Sequence, residues 1–160
     1  MKKAMLSALS LFLLAGCSSA AQDDVNKVDD KVDDGAAAAE EKVELKGEAE
    51  YPTGEKVEAT VIKEGDKISD VIINTIDKDG NAITQLEQMS DPKSQDTAIG
   101  TEWADQVDYL ESYIKDNGVE NIKTDENGKA VDEKLLEGCD VNIQPMLDAV
   151  NNALANEKDD

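Results

Sequence analysis

The pattern of apolar and polar positions divides the chain into an apolar leader, a polar stretch and one folded domain. Residues 4–14 are largely apolar, and residues 18–41 consist mainly of small, amide and charged residues with no aromatic side chain. Apolar periodicity of the kind that marks strands and helices begins near Val43. The pattern therefore predicts an acidic, disordered tether over residues 17–42 and a folded domain over residues 43–160.

Three strands and their turns are predicted in the first half of the domain. Val43–Tyr51, Val57–Val61 and Ile68–Ile76 are rich in alternating or β-branched residues. Glycine-containing turns separate them, at Pro52-Thr53-Gly54 and at Glu64-Gly65-Asp66. These short connections predict an antiparallel meander. The β-branched residues on both faces of the third strand are typical of a well-covered strand.

The second half of the domain has the spacing of helices. Four apolar residues predict the buried stripe of one helix: Trp103, Val107, Leu110 and Ile114. Asn117-Gly118 would end this helix, and Pro145 is expected to open a final helix because proline suits the first turn. The buried stripe of the final helix is expected to comprise Leu147, Val150 and Leu154. Between the two helices we expect a helical turn within Val131–Leu136 and short extended segments at Val119–Ile122 and Val141–Ile143. The predicted fold class is α+β, an antiparallel β meander followed by helices packed on one face of the sheet, with a C-terminal helix.

The charge of the chain excludes several functional classes. The sequence has 37 acidic residues against 16 lysines, a formal net charge of −21, and neither arginine nor histidine. A surface this acidic is repelled by phosphate backbones, so nucleic acid is excluded as a partner. The composition also excludes histidine-based triads, histidine-ligated metals and arginine clamps for phosphate. An enzyme with its own catalytic residues is therefore the least favoured class.

The apolar leader has the features of a bacterial secretion signal and ends in a short motif that contains a cysteine. Lys2 and Lys3 precede the apolar run, which is shorter than the roughly 20 residues that span a bilayer, and Leu14-Ala15-Gly16-Cys17 closes it. This tetrapeptide resembles the lipobox of bacterial lipoproteins. The resemblance implies that residues 1–16 are a signal peptide and that Cys17 carries the lipid. The protein would then be anchored at the extracytoplasmic face of the bacterial cell membrane. The alternative is an ordinary secreted protein with a chance cysteine.

A further interpretation concerns the leader itself. Residues 9–16, Leu-Ser-Leu-Phe-Leu-Leu-Ala-Gly, are similar to the short hydrophobic sex-pheromone peptides released from lipoprotein signals in some Gram-positive bacteria. On this interpretation the chain is also the precursor of a signalling peptide.

Segments at both ends of the domain resemble a known family. These are Gly47–Tyr51, Val57–Lys63, Gly65–Ile68 and Val71 near its start, and Leu136–Asp140 and Met146–Leu154 near its end. They are similar to bacterial FMN-binding domains, which occur in surface lipoproteins and respiratory subunits. The resemblance implies FMN as a cofactor, electron transfer as the function, and a membrane respiratory dehydrogenase or another surface protein as the partner.

The family attaches FMN to the threonine of an S-G-A-T segment, and this chain departs from that segment. Glu137 stands at the Ser position, Gly138 matches, Cys139 stands at the Ala position and Asp140 at the Thr position. The resemblance makes Gly138, Cys139 and Asp140 the candidate cofactor-binding residues. A carboxylate cannot form the same phosphoester, and two like charges ~4 Å apart cost about 4 kcal/mol at an effective dielectric of 20. Covalent attachment of FMN is therefore not expected. The competing prediction is a non-redox interaction or structural lipoprotein that presents an acidic surface.

Three other features have competing interpretations. The second cysteine, Cys139, is either a reactive or intermolecularly paired thiol, or a small buried residue. Tyr109 and Tyr113 lie four residues apart on one helical edge and either line a groove or pack within the domain. Aspartate-glycine clusters around Gly80 and Gly128 place no acidic residue at the first position of a calcium-binding loop, so they are predicted to be turns. No metal site is predicted.

Overall fold

The computed structural model describes residues 41–157. The elements follow one another as β1 (Lys42–Glu50), β2 (Lys56–Glu64), β3 (Lys67–Ile76), a 3₁₀ turn (Leu86–Gln88), α1 (Pro92–Gln95), α2 (Trp103–Asn117), α3 (Glu133–Leu136) and α4 (Gln144–Asn156). The predicted α+β order, strands first and a C-terminal helix last, is confirmed. Cys17, the leader and the stretch up to residue 40 lie outside the described residues.

The three strands form one antiparallel sheet in the order β1-β2-β3, which is the predicted meander. Leu45 pairs with Val61, and Val61 pairs with Val71, so apolar side chains line up in a row across the sheet. The register between β2 and β3 shifts at Ile62/Lys63. Because side chains alternate along a strand, this register places one set of apolar residues on one face.

Among residues 41–157, helices cover only one face of the sheet. α2 packs on β3, and α4 packs on β1 and β2. The strand residues buried beneath the helices are Leu45, Val57, Ala59, Val61, Val71 and Ile73. On the opposite face of β3, Ile72 remains 41 % exposed. Within the described residues, the good coverage expected for this strand is found on one face only, because β-branched residues favour strands whether or not both faces are buried.

The two long helices present the predicted stripes to the sheet. All four predicted residues of α2 are buried, namely Trp103, Val107, Leu110 and Ile114. In α4, Leu147 and Val150 are buried and Leu154 is half-buried. The prediction omitted Met146, Ala149 and Ala153, which are also buried.

α4 lies so close to β1 that position 47 has no room for a side chain. A Cβ atom on Gly47 would overlap the carbonyl oxygen of Ala149 and the backbone nitrogen of Ala153. Glycine within a strand often marks such a close approach of backbones. The small residues at these three positions therefore set the distance between helix and sheet.

Side chains from both helices bond to the outer edges of the sheet. Asn152 and Asn156 of α4 donate from Nδ2 to the carbonyl oxygens of Glu48 and Lys46 on β1, at 2.9 and 2.8 Å. On the other edge, the carboxylate of Glu111 in α2 accepts a hydrogen bond from the backbone N–H of Ile73. Unpaired edge groups invite pairing with other chains, so these contacts protect both edges.

Two short segments differ from the predictions. Residues 119–121 form a turn closed by a 3.1 Å bond from the N–H of Ile122 to the carbonyl of Val119, not an extended piece. The predicted extended segment 141–143 ends early, because Ile143 already has helical backbone angles, φ −96° and ψ −6°, at the start of α4. Both segments contain β-branched residues, but neither takes part in the strand pairs and isolated bridges of the described residues. Within residues 41–157 no helix has the length and apolar character needed to cross a bilayer.

Candidate functional site

The segment that resembles the flavin-attachment motif lies directly after α3. Asp132 caps this helix, with its carboxylate accepting from the N–H groups of Lys134 and Leu135. The N–H of Cys139 then bonds to the carbonyl of Leu135 at 2.9 Å. The segment is therefore the hydrogen-bonded end of a helical turn, with a conformation set by the chain around it.

Gly138 is packed beneath an aromatic ring. A Cβ atom on Gly138 would overlap the ring of Tyr109. The hydroxyl of Tyr109 donates to the carbonyl of Lys134 at 2.9 Å, which holds the ring over the segment. Tyr113, one turn further along α2, is half-buried. The glycine at position 138 is thus required for packing between α2 and this segment.

Cys139 is fully buried, which confirms the interpretation that it is a packing residue. Burial raises the pKa of its thiol to about 12. The thiolate is the nucleophilic form of cysteine, so a thiol with this pKa is unreactive near neutral pH. Cys139 therefore contributes to the core.

Both oxygens of the Asp140 carboxylate are engaged within the domain. Oδ2 accepts from the N–H of Ala98 at 2.8 Å, and Oδ1 lies 3.2 Å from Nζ of Lys129. The side chains of this ion pair are only 15 % and 17 % exposed. Lys129 also donates to the carbonyl of Asp96. Asp140 thus joins the segment after α3 to the loop before α2 and to the turn that carries Lys129.

A buried amide completes this joint. Gln106 of α2 is fully buried, and its Oε1 accepts from the N–H of Asp140 at 2.9 Å. Its Nε2 donates to the carbonyl of Thr101 at 2.8 Å. Buried polar groups need such partners, because an unsatisfied group costs about 1–3 kcal/mol. Together, Asp140, Lys129 and Gln106 form what we call the Asp140 joint.

Beside the joint lies a cluster of buried polar groups that the sequence did not predict. Oδ2 of Asp91 accepts from the hydroxyl of Ser94 at 2.8 Å and from Nδ2 of Asn142 at 3.0 Å. The hydroxyl of Tyr51 donates to the carbonyl of Asn142 at 2.8 Å. Desolvation, followed by the charge of Asp91, raises the pKa of Tyr51 well above its usual value. Tyr51 therefore stays protonated as a donor in this cluster.

Glu55 is a second buried carboxylate that the sequence did not indicate. One oxygen accepts from the N–H of Ser90 at 2.9 Å, and the other accepts from the hydroxyl of Thr53. Burial alone would raise its pKa, but the hydrogen bonds from Thr53 and Ser90 outweigh it and lower the pKa below the usual value. Glu55 is therefore a charged residue that anchors the segment after the 3₁₀ turn to the hairpin of β1 and β2.

The aspartate-glycine clusters are turns, as predicted. Asp77 Oδ1 accepts from the N–H groups of Asp79 and Asn81, and Asp125 Oδ1 accepts from those of Asn127 and Lys129. These backbone hydrogen bonds lower the pKa of both aspartates. Within residues 41–157 no group of three acidic or cysteine side chains is placed to hold a metal ion.

The arrangement around Asp140 does not fit covalent FMN. The acceptor position holds a carboxylate whose two oxygens already have partners, and Gly138 has no free space beside the Tyr109 ring. A cleft of about 450 Å³ elsewhere is lined by Lys63, Lys67 and Lys115, but three acidic residues line it as well. Its charges balance, so it has no preference for an anion.

The three residues predicted to bind the cofactor have structural roles in the domain. Gly138, Cys139 and Asp140 are brought together as packing and joining residues, and Cys17 lies outside the described part of the chain. Comparison of the chain with family models, with curated proteins and with solved structures finds no match.

Proposed function

We propose that this chain is a lipoprotein, anchored through Cys17 at the extracytoplasmic face of a bacterial membrane, whose domain binds a basic partner protein through its uncovered sheet surface. The lipobox-like Leu14-Ala15-Gly16-Cys17 supports the anchor. The observation that carries the binding role is a pair of opposed glutamates on the uncovered face of the sheet.

That surface, which we call the open sheet face, consists of the strand side chains that point away from the helices. Four acidic residues and two lysines lie at its centre, which comprises Glu44, Lys46, Glu48, Lys56, Glu58, Thr60, Asp70, Ile72 and Asn74. Lys46 is already paired with Glu44 at 3.2 Å. The open sheet face therefore carries an excess of negative charge around a partly exposed Ile72.

Glu48 and Glu58 stand directly opposite each other on β1 and β2. Like charges in this position destabilise a sheet, whereas opposite charges contribute roughly 0.2–1 kcal/mol. Among the described residues neither carboxylate has an ion-pair partner. A lysine or arginine from a partner would relieve this repulsion, so the pair favours a basic polypeptide over an anionic ligand.

The Asp140 joint argues against the competing role of covalent flavin carrier. The residue at the acceptor position supplies a charge to an ion pair and has no hydroxyl to offer. Loss of its side chain would remove the hydrogen bond that ties Ala98, in the loop before α2, to the segment after α3. The domain is therefore better suited to binding through its surface than to carrying a covalent cofactor.

Cys17→Ser is expected to abolish membrane anchoring. Acyl chains contribute about 0.8 kcal/mol per buried methylene, and two chains give a stable anchor, whereas the serine variant receives none. The variant should appear in the culture medium or remain as uncleaved precursor, as measured by fractionation and intact mass. A mature-sized variant that still sediments with membranes would contradict the anchor.

Binding to the open sheet face can be tested with a lysine-rich decapeptide and the full chain. The variant Glu48→Gln/Glu58→Gln should raise the peptide's dissociation constant about two- to thirtyfold, because two exposed ion pairs contribute roughly 0.2–1 kcal/mol each.

The matched control is Glu133→Gln/Glu137→Gln, which removes the same charge from exposed positions around α3. The control should change the dissociation constant less than twofold. Equal weakening by both double variants would mean nonspecific attraction to an acidic protein. If Glu48→Gln/Glu58→Gln does not weaken peptide binding, the open sheet face is not the binding surface. Neither outcome depends on the Cys17 result.

A further inference from the structure

The two edges of the sheet are capped by different chemical groups. On β1, the carbonyl oxygens of Lys46 and Glu48 accept hydrogen bonds from the side-chain amides of Asn156 and Asn152. A strand added at that edge would find these acceptors already used. On β3 the caps are carboxylates, which bond to N–H groups and not to carbonyl oxygens. The edge of β3 therefore keeps its acceptors for an incoming strand.

Two residues define the free part of the β3 edge. The N–H of Ile73 donates to Oε1 of Glu111 at 2.5 Å, and the N–H of Val71 donates to Oδ1 of Asp70 at 3.1 Å. The N–H and C=O of one residue point to the same side of an antiparallel strand, so the carbonyl oxygens of Val71 and Ile73 also point outward. Among residues 41–157 neither oxygen accepts a hydrogen bond at this edge. An unpaired edge of this kind is a template for another strand.

The chain itself limits the length of this edge. The N–H of Ile83 donates to the carbonyl oxygen of Thr75 at 2.8 Å, and Ala82 forms a bridge with Ile76. The end of β3 is thus occupied by the segment that follows it. The part that remains open is Val71–Ile73, which is long enough for a few backbone hydrogen bonds with a short extended peptide.

Carboxylates flank the open part of the edge. Asp70 lies on β3, and Asp108 and Glu111 lie on α2. Desolvation raises the pKa of Glu111, and the charges of Asp108 and Asp70 raise it further, although the hydrogen bond from Ile73 opposes this. Within the described residues none of the three has an ion-pair partner, and Lys115, one turn after Glu111, does not supply one. A lysine on an added strand would supply the missing positive charge.

We propose that a lysine-rich segment of the partner adds to the edge of β3 as a short extra strand, and that Glu111 moves from the N–H of Ile73 to a lysine of that segment. Glu111 protects the edge in the free domain, and its exchange gives the N–H to a carbonyl oxygen of the partner. Main-chain hydrogen bonds of this kind hold extended peptides at sheet edges. The inference rests on the proposed function for the class of partner, a basic polypeptide, and adds how that polypeptide is held.

A peptide of alternating lysine and threonine is a suitable probe, titrated against the full chain by calorimetry. Its control is the same peptide with every backbone nitrogen methylated, which keeps the charge but cannot donate to the carbonyl oxygens of Val71 and Ile73. The methylated peptide should bind about five- to hundredfold more weakly, the range for two backbone hydrogen bonds. Equal affinity of the two peptides would overturn the strand addition.

Glu111→Gln tests the exchange of the cap. The amide oxygen can still accept from Ile73, but it cannot form an ion pair with a lysine. The dissociation constant of the unmethylated peptide should rise about two- to fivefold, as expected for one exposed ion pair. Glu133→Gln removes the same charge from an exposed position on α3 and should leave the constant unchanged. Equal effects of the two variants would overturn the role of Glu111.

Hydrogen exchange locates the added strand. At saturating peptide, exchange of the Val71 and Ile73 N–H groups should slow, whereas the Lys46 and Glu48 N–H groups on the β1 edge should exchange as before. Slowing at β1 and not at β3 would overturn the assignment of the edge. If Glu48→Gln/Glu58→Gln weakens binding while exchange at Val71 and Ile73 does not change, the open sheet face remains the binding surface and the strand addition alone is wrong.

Discussion

Gly47→Ala is expected to lower the free energy of unfolding by about 3 kcal/mol or more. The added Cβ would overlap backbone atoms of Ala149 and Ala153, and helix backbone cannot rotate aside as a side chain can. Overpacking of a core typically costs about 1–3 kcal/mol, and overlap with backbone lies at the upper end or beyond. α4 would have to shift away from β1 and β2, which would loosen its whole buried stripe. Guanidinium unfolding followed by circular dichroism measures the change.

Lys46→Ala is the matched control for this prediction. Lys46 neighbours Gly47 on the same strand, but its side chain points to the open sheet face and is 74 % exposed. Its ion pair with Glu44 is a surface contact, so the change in stability should stay within about 0.5 kcal/mol. Equal effects of the two variants would mean that the close contact between α4 and β1 does not exist.

Asp140→Ala is expected to lower the free energy of unfolding by about 2–3 kcal/mol. The substitution removes a hydrogen-bond acceptor for the N–H of Ala98 and leaves Lys129 as a largely buried charge without its carboxylate. Losing one partner of a buried pair is costly because the other charge stays desolvated. The small remaining exposure of both side chains keeps the cost below that of a fully buried pair.

Asp140→Asn removes the charge of the side chain and keeps its shape. The amide oxygen can still accept from Ala98, so only the attraction to Lys129 is lost and the destabilisation should be roughly half as large. A double-mutant cycle with Lys129→Ala should give a coupling energy above about 0.5 kcal/mol, as expected for residues in contact. Additive effects in that cycle would contradict the Asp140 joint.

The sequence predicts the parts of this fold that depend on local spacing. The α2 stripe of Trp103, Val107, Leu110 and Ile114 can be recognised because helical periodicity reports burial within one segment. The meander can be recognised because each pair of strands is joined by a short turn containing Gly54 or Gly65.

The parts that depend on contacts between distant segments could not be predicted in the same way. Glu55 contacts Ser90, 35 residues away, and acidic residues are usually exposed, so no local signal marked it as buried. In the sequence Gly47 cannot be distinguished from other strand glycines, because its close contact is with α4, about 100 residues later in the chain. Asp140 could be identified only as a departure from the resembling motif, because its partners Ala98 and Lys129 come from other segments. Non-covalent flavin binding stays a prediction.

We propose that the segment ending in Asp140 is a structural joint that does not accept flavin. The most direct measurement is the intact mass of the full chain after co-expression with a flavin transferase, beside a chain that carries the S-G-A-T segment as a positive control. We expect the native chain to keep its unmodified mass while the control gains one FMN moiety. A native chain that gains the mass of FMN would contradict the claim.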